Sequence, residues 1–342
     1  MSEYAAELRE LAASVLPEDG GTPTVGRARE VLAGVRELGL PRIGVPEERG
    51  GSGGTLDDLL VAVEALAARG AGVPLIESSV ADWVIGHVRP LDEAFAVTAL
   101  LDGAPGVVEA GSTLTGELAA VPWARDASLL LACGPGREPL IIDLRHDSVG
   151  LRASENLAGE PRDTVLLDHT PAVPVASGPR YPEIRARLAL LWSAAVTGAA
   201  HGAYRLTKAY VSEREQFGAP LLRLPAVSSG LASMRVQLMQ ADAALGLARE
   251  AVAEPGWLDV ASAVAVARVT TARTATEVAR AAHQLHGAMG ITGEYPLHHF
   301  TRRLWAWRDA VATEREWADT LGKRAADLGE DAVWTRLTAS GS

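Results

Sequence analysis

Cysteine occurs once in 342 residues, at Cys133. A single thiol excludes an internal disulfide framework and any cysteine-based zinc site. Basic charge is also in deficit: 32 Lys and Arg face 43 Asp and Glu, for a net charge of -11. Apart from local basic clusters, such a molecule is a poor nonspecific ligand for nucleic acid or an anionic membrane. No uncharged apolar run reaches the roughly 20 residues of a spanning helix. The N-terminal string MSEYAAELRELAASVL carries acids and lacks the basic start and apolar run of a signal peptide. The expectation is a cytoplasmic protein that spans no membrane and binds no nucleic acid. No internal repeat, glycine-rich phosphate loop or zinc spacing occurs. His298 and His299 are adjacent, and neighbours on a helix point apart, so no metal site is read there.

Hydrophobic residues make up 48% of the chain, enough for a sizeable core. Helical periodicity dominates the first 92 residues, over 3–16, 26–38, 55–70 and 74–88. Thr55 with Asp58 resembles a capping pair. The texture then changes. AFAVTALL, VVEAG, STLTGEL, SLLLACG, PLIIDLR, VGLRASE, DTVLLDHT and PAVPVA are short runs between Gly, Pro and charges. They predict a small antiparallel β domain over 93–177. Helical periodicity returns over 178–332, with long helices at 183–215, 228–253, 259–286 and 297–327. Short connections between them predict an antiparallel four-helix bundle. Residues 333–342 read as a frayed tail.

The stretch TEVARAAHQLHGAMGITGEYPLHHFTRRLWAWRD, residues 276–309, anchors the reading. A periodic helix meets Gly287 and Gly290, and an aromatic, arginine-rich helix follows. Glycines there permit a turn or a close approach. The segment is either a tight corner between packed helices or a place where polar side chains at a helix end hold a ligand.

The order of helical, β and bundle parts, with three strings, resembles the acyl-CoA dehydrogenase family. The strings are ELGLPRIGVPEERGGSGGTLDDLLVAVEAL, AYVSEREQFGAP and QLHGAMGITGEYPLHHFTRR. The resemblance implies FAD and an acyl-CoA substrate. Such enzymes remove the α and β hydrogens of the thioester and pass electrons to an electron-transfer flavoprotein. It also implies that Arg214 and Phe217 belong to a flavin site formed across a subunit interface. Gln284, Gly287 and Ala288 would lie by the adenosine-diphosphate portion. A guanidinium pairing with pyrophosphate oxygens is sound chemistry for Arg214. An ion pair to Glu213 or Glu215 is its bland alternative.

The departures carry as much. A carboxylate must take the α proton while the flavin takes the β hydride. By the resemblance, the usual glutamate falls on Val311 and an alternative one on Leu188. Neither residue is a base. Asp309, Glu314 and Glu183 are nearby carboxylates and the candidate bases, each out of register. The usual flavin strings of the β domain are absent, with Val97, Thr98 and Ala99 near the isoalloxazine position and Pro225 where glutamine is common.

The resemblance extends to actinobacterial steroid-degrading members built as α2β2 complexes of unlike subunits. In these a shorter subunit lacks the base and a homologous larger partner carries the catalytic glutamate. The string PLHHFTRRLWAWRD looks like those chains, and Arg302, Arg303, Trp305 and Trp307 suit a partner interface. Tryptophan in the core is the alternative for Trp305 and Trp307. Three functions follow: a subunit of a heteromeric steroid-type acyl-CoA dehydrogenase, a self-sufficient homo-oligomer with a relocated base, or a non-catalytic homologue.

Overall fold

The computed structural model describes residues 4–16, 25–101, 107–110, 112–254 and 259–329. The PEDGGTPT loop, the PGW helix stop and the tail at 333–342 lie outside the described residues. Contacts divide the chain into two units: Met1–Ala65 with Ala71–Leu188, and Leu66–Gly70 with Ala189–Ser342.

The first unit begins with helices α1 (Ala5–Ser14), α2 (Val25–Glu37), α3 (Leu56–Ala67) and α4 (Leu75–Val88). Thr55 caps α3 as expected. Its hydroxyl accepts the Asp58 N–H at 3.3 Å, and the Asp58 carboxylate accepts the Thr55 N–H at 2.7 Å. Helix α4 starts after Pro74, and its buried Leu75, Ile76, Val80, Val84 and Ile85 face the interior.

Among the described residues seven strands follow: β1 (Ala96–Leu100), β2 (Val108–Ala110), β3 (Thr113–Pro122), β4 (Leu129–Cys133), β5 (Leu140–Asp143), β6 (Val149–Arg152) and β7 (Arg162–Pro174). Their order is β1-β4-β5-β7-β3-β2, with β6 also on β7. The purely antiparallel expectation fails at one edge, where β1 and β4 pair in parallel from Ala96↔Leu129 to Leu100↔Cys133. The long excursion through β2 and β3 supplies the crossover that a parallel pair requires. The two runs DTVLLDHT and PAVPVA, expected as separate strands, are one strand. Between the Leu114↔Thr170 and Gly116↔Leu167 pairs, Asp168 and His169 oppose the single Thr115. This bulge, with His169 at φ 51°, restores the alternation so that Val165, Leu167 and Ala172 all face the core. That core gathers Val97, Leu118, Leu130 and Ile142 from the other strands.

Helix α5 (Tyr181–Glu213) runs from the first unit into the second. The second unit continues with a hairpin of β8 (Glu215–Gln216) and β9 (Ala219–Pro220), then α6 (Pro225–Ala253), α7 (Val260–His286), α8 (Leu297–Trp307) and α9 (Glu314–Leu328). Pro225, in place of the common glutamine, is the first residue of α6, a position that needs no N–H. The small-residue stripe of α5 admits a helix. At Gly202 an added Cβ would lie 2.2 Å from the Phe300 ring of α8.

The fourth bundle helix, expected unbroken over 297–327, is two helices. Arg268 of α7 explains the break. It is fully buried, and one terminal nitrogen donates to the carbonyls of Trp307 (3.2 Å), Arg308 (2.7 Å) and Ala310 (3.0 Å). Those carbonyls are satisfied from outside the helix, so α8 ends there. Val311 then takes φ 74°, and Thr313 with Glu316 forms a capping box that starts α9.

Candidate functional site

Two segments of the second unit carry the flavin-site candidates. At the end of α5 the chain turns through Phe217 (φ 52°) and Gly218 (φ 78°) between β8 and β9. Positive φ at both central residues matches the twist of a two-residue hairpin. The turn holds Phe217 out, 90% exposed. Arg214 is exposed at the hairpin base, and its carbonyl accepts the Leu221 N–H at 2.8 Å. It forms no ion pair with Glu213 or Glu215, so the bland alternative for this residue does not hold.

The second segment is the end of α7. Gln284, Gly287 and Ala288 are all exposed, and Gly287 closes the helix at φ 58°. Beneath them His286 is 3% exposed. Its ring stacks on Tyr210 with centroids 4.5 Å apart and meets Tyr295 at 5.0 Å. The Tyr210 hydroxyl donates to the His286 carbonyl at 3.4 Å. Tyr210 lies one helical turn before Arg214, so this contact ties both candidate segments to one aromatic cluster. Burial pushes the His286 imidazole below its ordinary pKa, with the nearby His283 adding to the effect. Burial thus favours the neutral form of the His286 ring.

The base positions are apolar in both units. Leu188 on α5 is 4% exposed. Val311 sits in the linker between α8 and α9. The three nearby carboxylates are engaged elsewhere. Asp309 pairs with Arg308 at 2.9 Å. Glu314 pairs with Arg273 at 2.6 Å. Glu183 accepts the Arg180 N–H at 2.8 Å, at the start of α5. Glu314 and Arg273 also line a cleft of about 630 Å³, with Gln237, Gln240, Thr270 and Glu277.

Two of the four residues assigned to a partner interface are core. Trp307 is 4% exposed and meets Trp192 at 5.6 Å, and Arg303 is 4% exposed. Trp305, 37% exposed under the Arg308 guanidinium, and Arg302 face outward. The His298 and His299 rings lie 4.0 Å apart in the first turn of α8, closer than their adjacency suggested. No group of three His, Cys, Asp or Glu residues suited to a metal occurs among the described residues.

The exposed Arg214 guanidinium at the hairpin base fits a diphosphate, and the exposed Phe217 ring beside it fits an apolar part of FAD. In the β domain, Thr98 is 2% exposed and its hydroxyl has no partner, a fit for a flavin polar edge, while Val97 is core. Sequence reasoning passed over Arg268 and gave Arg187 no role. A lone arginine inside the apolar string AVAVARVTTA was the available signal for Arg268.

The comparisons with known proteins agree with this architecture. The pattern described as "Acyl-CoA dehydrogenase, N-terminal domain" matches residues 3–88, and the one described as "Acyl-CoA dehydrogenase, C-terminal domain" matches residues 185–308. Among curated relatives, acyl-CoA dehydrogenase FadE34 of Mycobacterium tuberculosis is 30% identical over 80% of this chain, which spans only 39% of that protein. Acyl-CoA dehydrogenase IpdE2 of Mycolicibacterium smegmatis is 24% identical over 92% of this chain and 97% of its own length. Among solved structures, a variant of the Tcur3481-Tcur3483 steroid ACAD superposes with a TM-score of 0.83 at 25% identity, covering 95% of this chain and 98% of that one. With both domain patterns matched on either side of the β domain, this chain belongs to the acyl-CoA dehydrogenase family, a family of FAD-dependent oxidoreductases acting on the CH–CH bond of acyl-CoA thioesters.

Proposed function

We propose that this chain is the base-lacking subunit of a heteromeric, FAD-dependent acyl-CoA dehydrogenase. In this reading a homologous partner subunit supplies the carboxylate that takes the α proton. The carrying observation is the linker around Val311. It holds no carboxylate at the usual place, and Arg268 and the Thr313 capping box fix its path. Asp309 and Glu314 are held in ion pairs with Arg308 and Arg273. A steroid-type CoA thioester as substrate is supported by the PLHHFTRRLWAWRD string and by the likeness to the Tcur3481-Tcur3483 steroid ACAD. The paired naming of that relative supports a two-chain assembly.

Bound FAD supplies the two-electron acceptor for the β hydride. On this reading Arg214 would pair with its diphosphate, Phe217 would cover an apolar part of the cofactor, and Gln284 with the Gly287–Ala288 backbone would flank the nucleotide end. These residues bind and orient, and none of them moves the proton. An electron-transfer flavoprotein would be the acceptor of the flavin's electrons.

Co-expression with a homologous dehydrogenase chain that retains its glutamate tests the proposal. The expected result is flavin absorbance and thioester oxidation in the complex and neither in the lone chain. Replacing the partner's glutamate by glutamine should lower turnover by about 10²–10⁴-fold. Turnover by the lone chain that is lost in Asp309→Asn, Glu314→Gln or Glu183→Gln would overturn the proposal in favour of a relocated base.

A further inference from the structure

Arg187 is an inward-facing cation without a counter-ion among the described residues. It lies on α5 directly before Leu188, and the Trp83 and Gly44 it packs against belong to the same unit. Its guanidinium covers the Trp83 indole of α4 at 4.4 Å from the ring centroid. Its Nε and one terminal nitrogen are buried and have no hydrogen-bond partner. That terminal nitrogen occupies the space beside Gly44, where an added Cβ would stand 3.0 Å from it. Gly44 has φ 86°, so glycine serves both the turn and the close approach. Burial draws the Arg187 pKa down to about 10.

Among the described residues, other inward-facing arginines have at least one partner, although Arg268 also keeps its Nε and one terminal nitrogen unpartnered. Arg125 has Asp163, Arg162 has Glu77, and Arg268 has three carbonyls. An unpaired, desolvated guanidinium is costly, and a stack on an indole offsets only part of that cost. The arrangement is that of a half-built ion pair: a planar donor fork over an aromatic ring, with Nε and one terminal nitrogen unspent.

We propose that Arg187, with Trp83 and Gly44, is a binding site for a carboxylate carried by a small molecule. A carboxylate fits better than a phosphate, because one guanidinium beside an indole matches a planar monoanion and provides no second cation. In its substrate assignment, the inference rests on the reading above: the carboxylate belongs to the acyl group, and the substrate class is a steroid-type acyl-CoA that carries a second, free carboxylate, for which glutaryl-CoA is the minimal probe.

The test uses the full chain, alone and in complex with its partner. Calorimetric titration compares butyrate with butyramide, and glutaryl-CoA with valeryl-CoA. The wild type should bind each carboxylate about tenfold tighter than its neutral counterpart, the worth of one charge-assisted contact. Arg187→Gln should erase the preference, and Arg187→Lys should restore part of it. A purely structural arginine would leave the carboxylate preference absent in all three proteins. Equal binding of butyrate and butyramide to the wild type overturns the site, whether or not the variants fold. A preference for butyrate with no binding of either CoA ester keeps the site and defeats the dehydrogenase reading. A preference for butyrate without one for glutaryl-CoA, when both esters bind, overturns the substrate class.

Discussion

At the scale of single residues, the chain separates buried charges that stabilise from those left open. Asp163 is fully buried in β7. Burial raises its carboxyl pKa, but hydrogen bonds from Arg125, including Nε at 2.9 Å, and from the Arg125 and Ser154 backbone N–H groups outweigh it. The net pKa lies below the ordinary carboxylate value. A depressed carboxylate stabilises the fold at pH above its unfolded pKa, and this contribution is lost as pH falls through the folded value. Asp163→Asn should destabilise by about 3 kcal/mol at pH 7, because it strands Arg125. Denaturant melts at pH 7 and pH 3 check this: the gap between wild type and variant should shrink on acidification. Cys133 shows the opposite outcome of burial, its thiol pushed up to about 12 by desolvation with no partner to compensate. It is a core side chain, inert at neutral pH.

Among the elements, the linker between α8 and α9 matters most. Local sequence encodes half of it: Thr313 and Glu316 reciprocally cap α9, with the Thr313 N–H donating to the Glu316 carboxylate at 2.8 Å. The other half comes from Arg268, far back in α7. Thr313→Ala should cost about 1 kcal/mol and fray the start of α9. Chemical denaturation, with amide exchange over residues 314–318, would register both effects. A loss of stability without faster exchange there would refute the capping account. The same linker explains why the single helix expected over 297–327 is divided. The periodicity over 297–327 is compatible with one helix, and nothing local to Trp307 announces that an arginine of the preceding bundle helix will take its carbonyl.

For the whole molecule, exposed apolar groups stand at the two candidate flavin segments: Phe217 at 90% and Ile291 at 79% exposure. No helix among the described residues is long and apolar enough to cross a membrane. A partner chain or a bound nucleotide is the covering that the proposed function provides. Arg214→Ala should cut flavin retention of the two-chain complex at least about tenfold while leaving the lone chain's thermal midpoint within error, since Arg214 makes no ion pair among the described residues. Flavin-to-protein absorbance ratios after gel filtration would measure this. Unchanged retention would remove Arg214 from the nucleotide site.

The amino-acid sequence by itself determined the helical, β and helical succession, the cap at Thr55, and the absence of a carboxylate at Leu188 and Val311. These are local matters: periodicity sets which face is apolar, side chains one turn apart satisfy helix ends, and a residue's identity fixes whether it can hold a proton. Tertiary structure alone decided the parallel β1–β4 pair, the division of the last helix, the burial of Trp307 and Arg303, and the isolation of Arg187 on Trp83. Each of these depends on groups distant in sequence meeting in a low-dielectric interior. There, whether a partner is present, more than the residue's own propensity, governs where a backbone breaks and where a charge is left open.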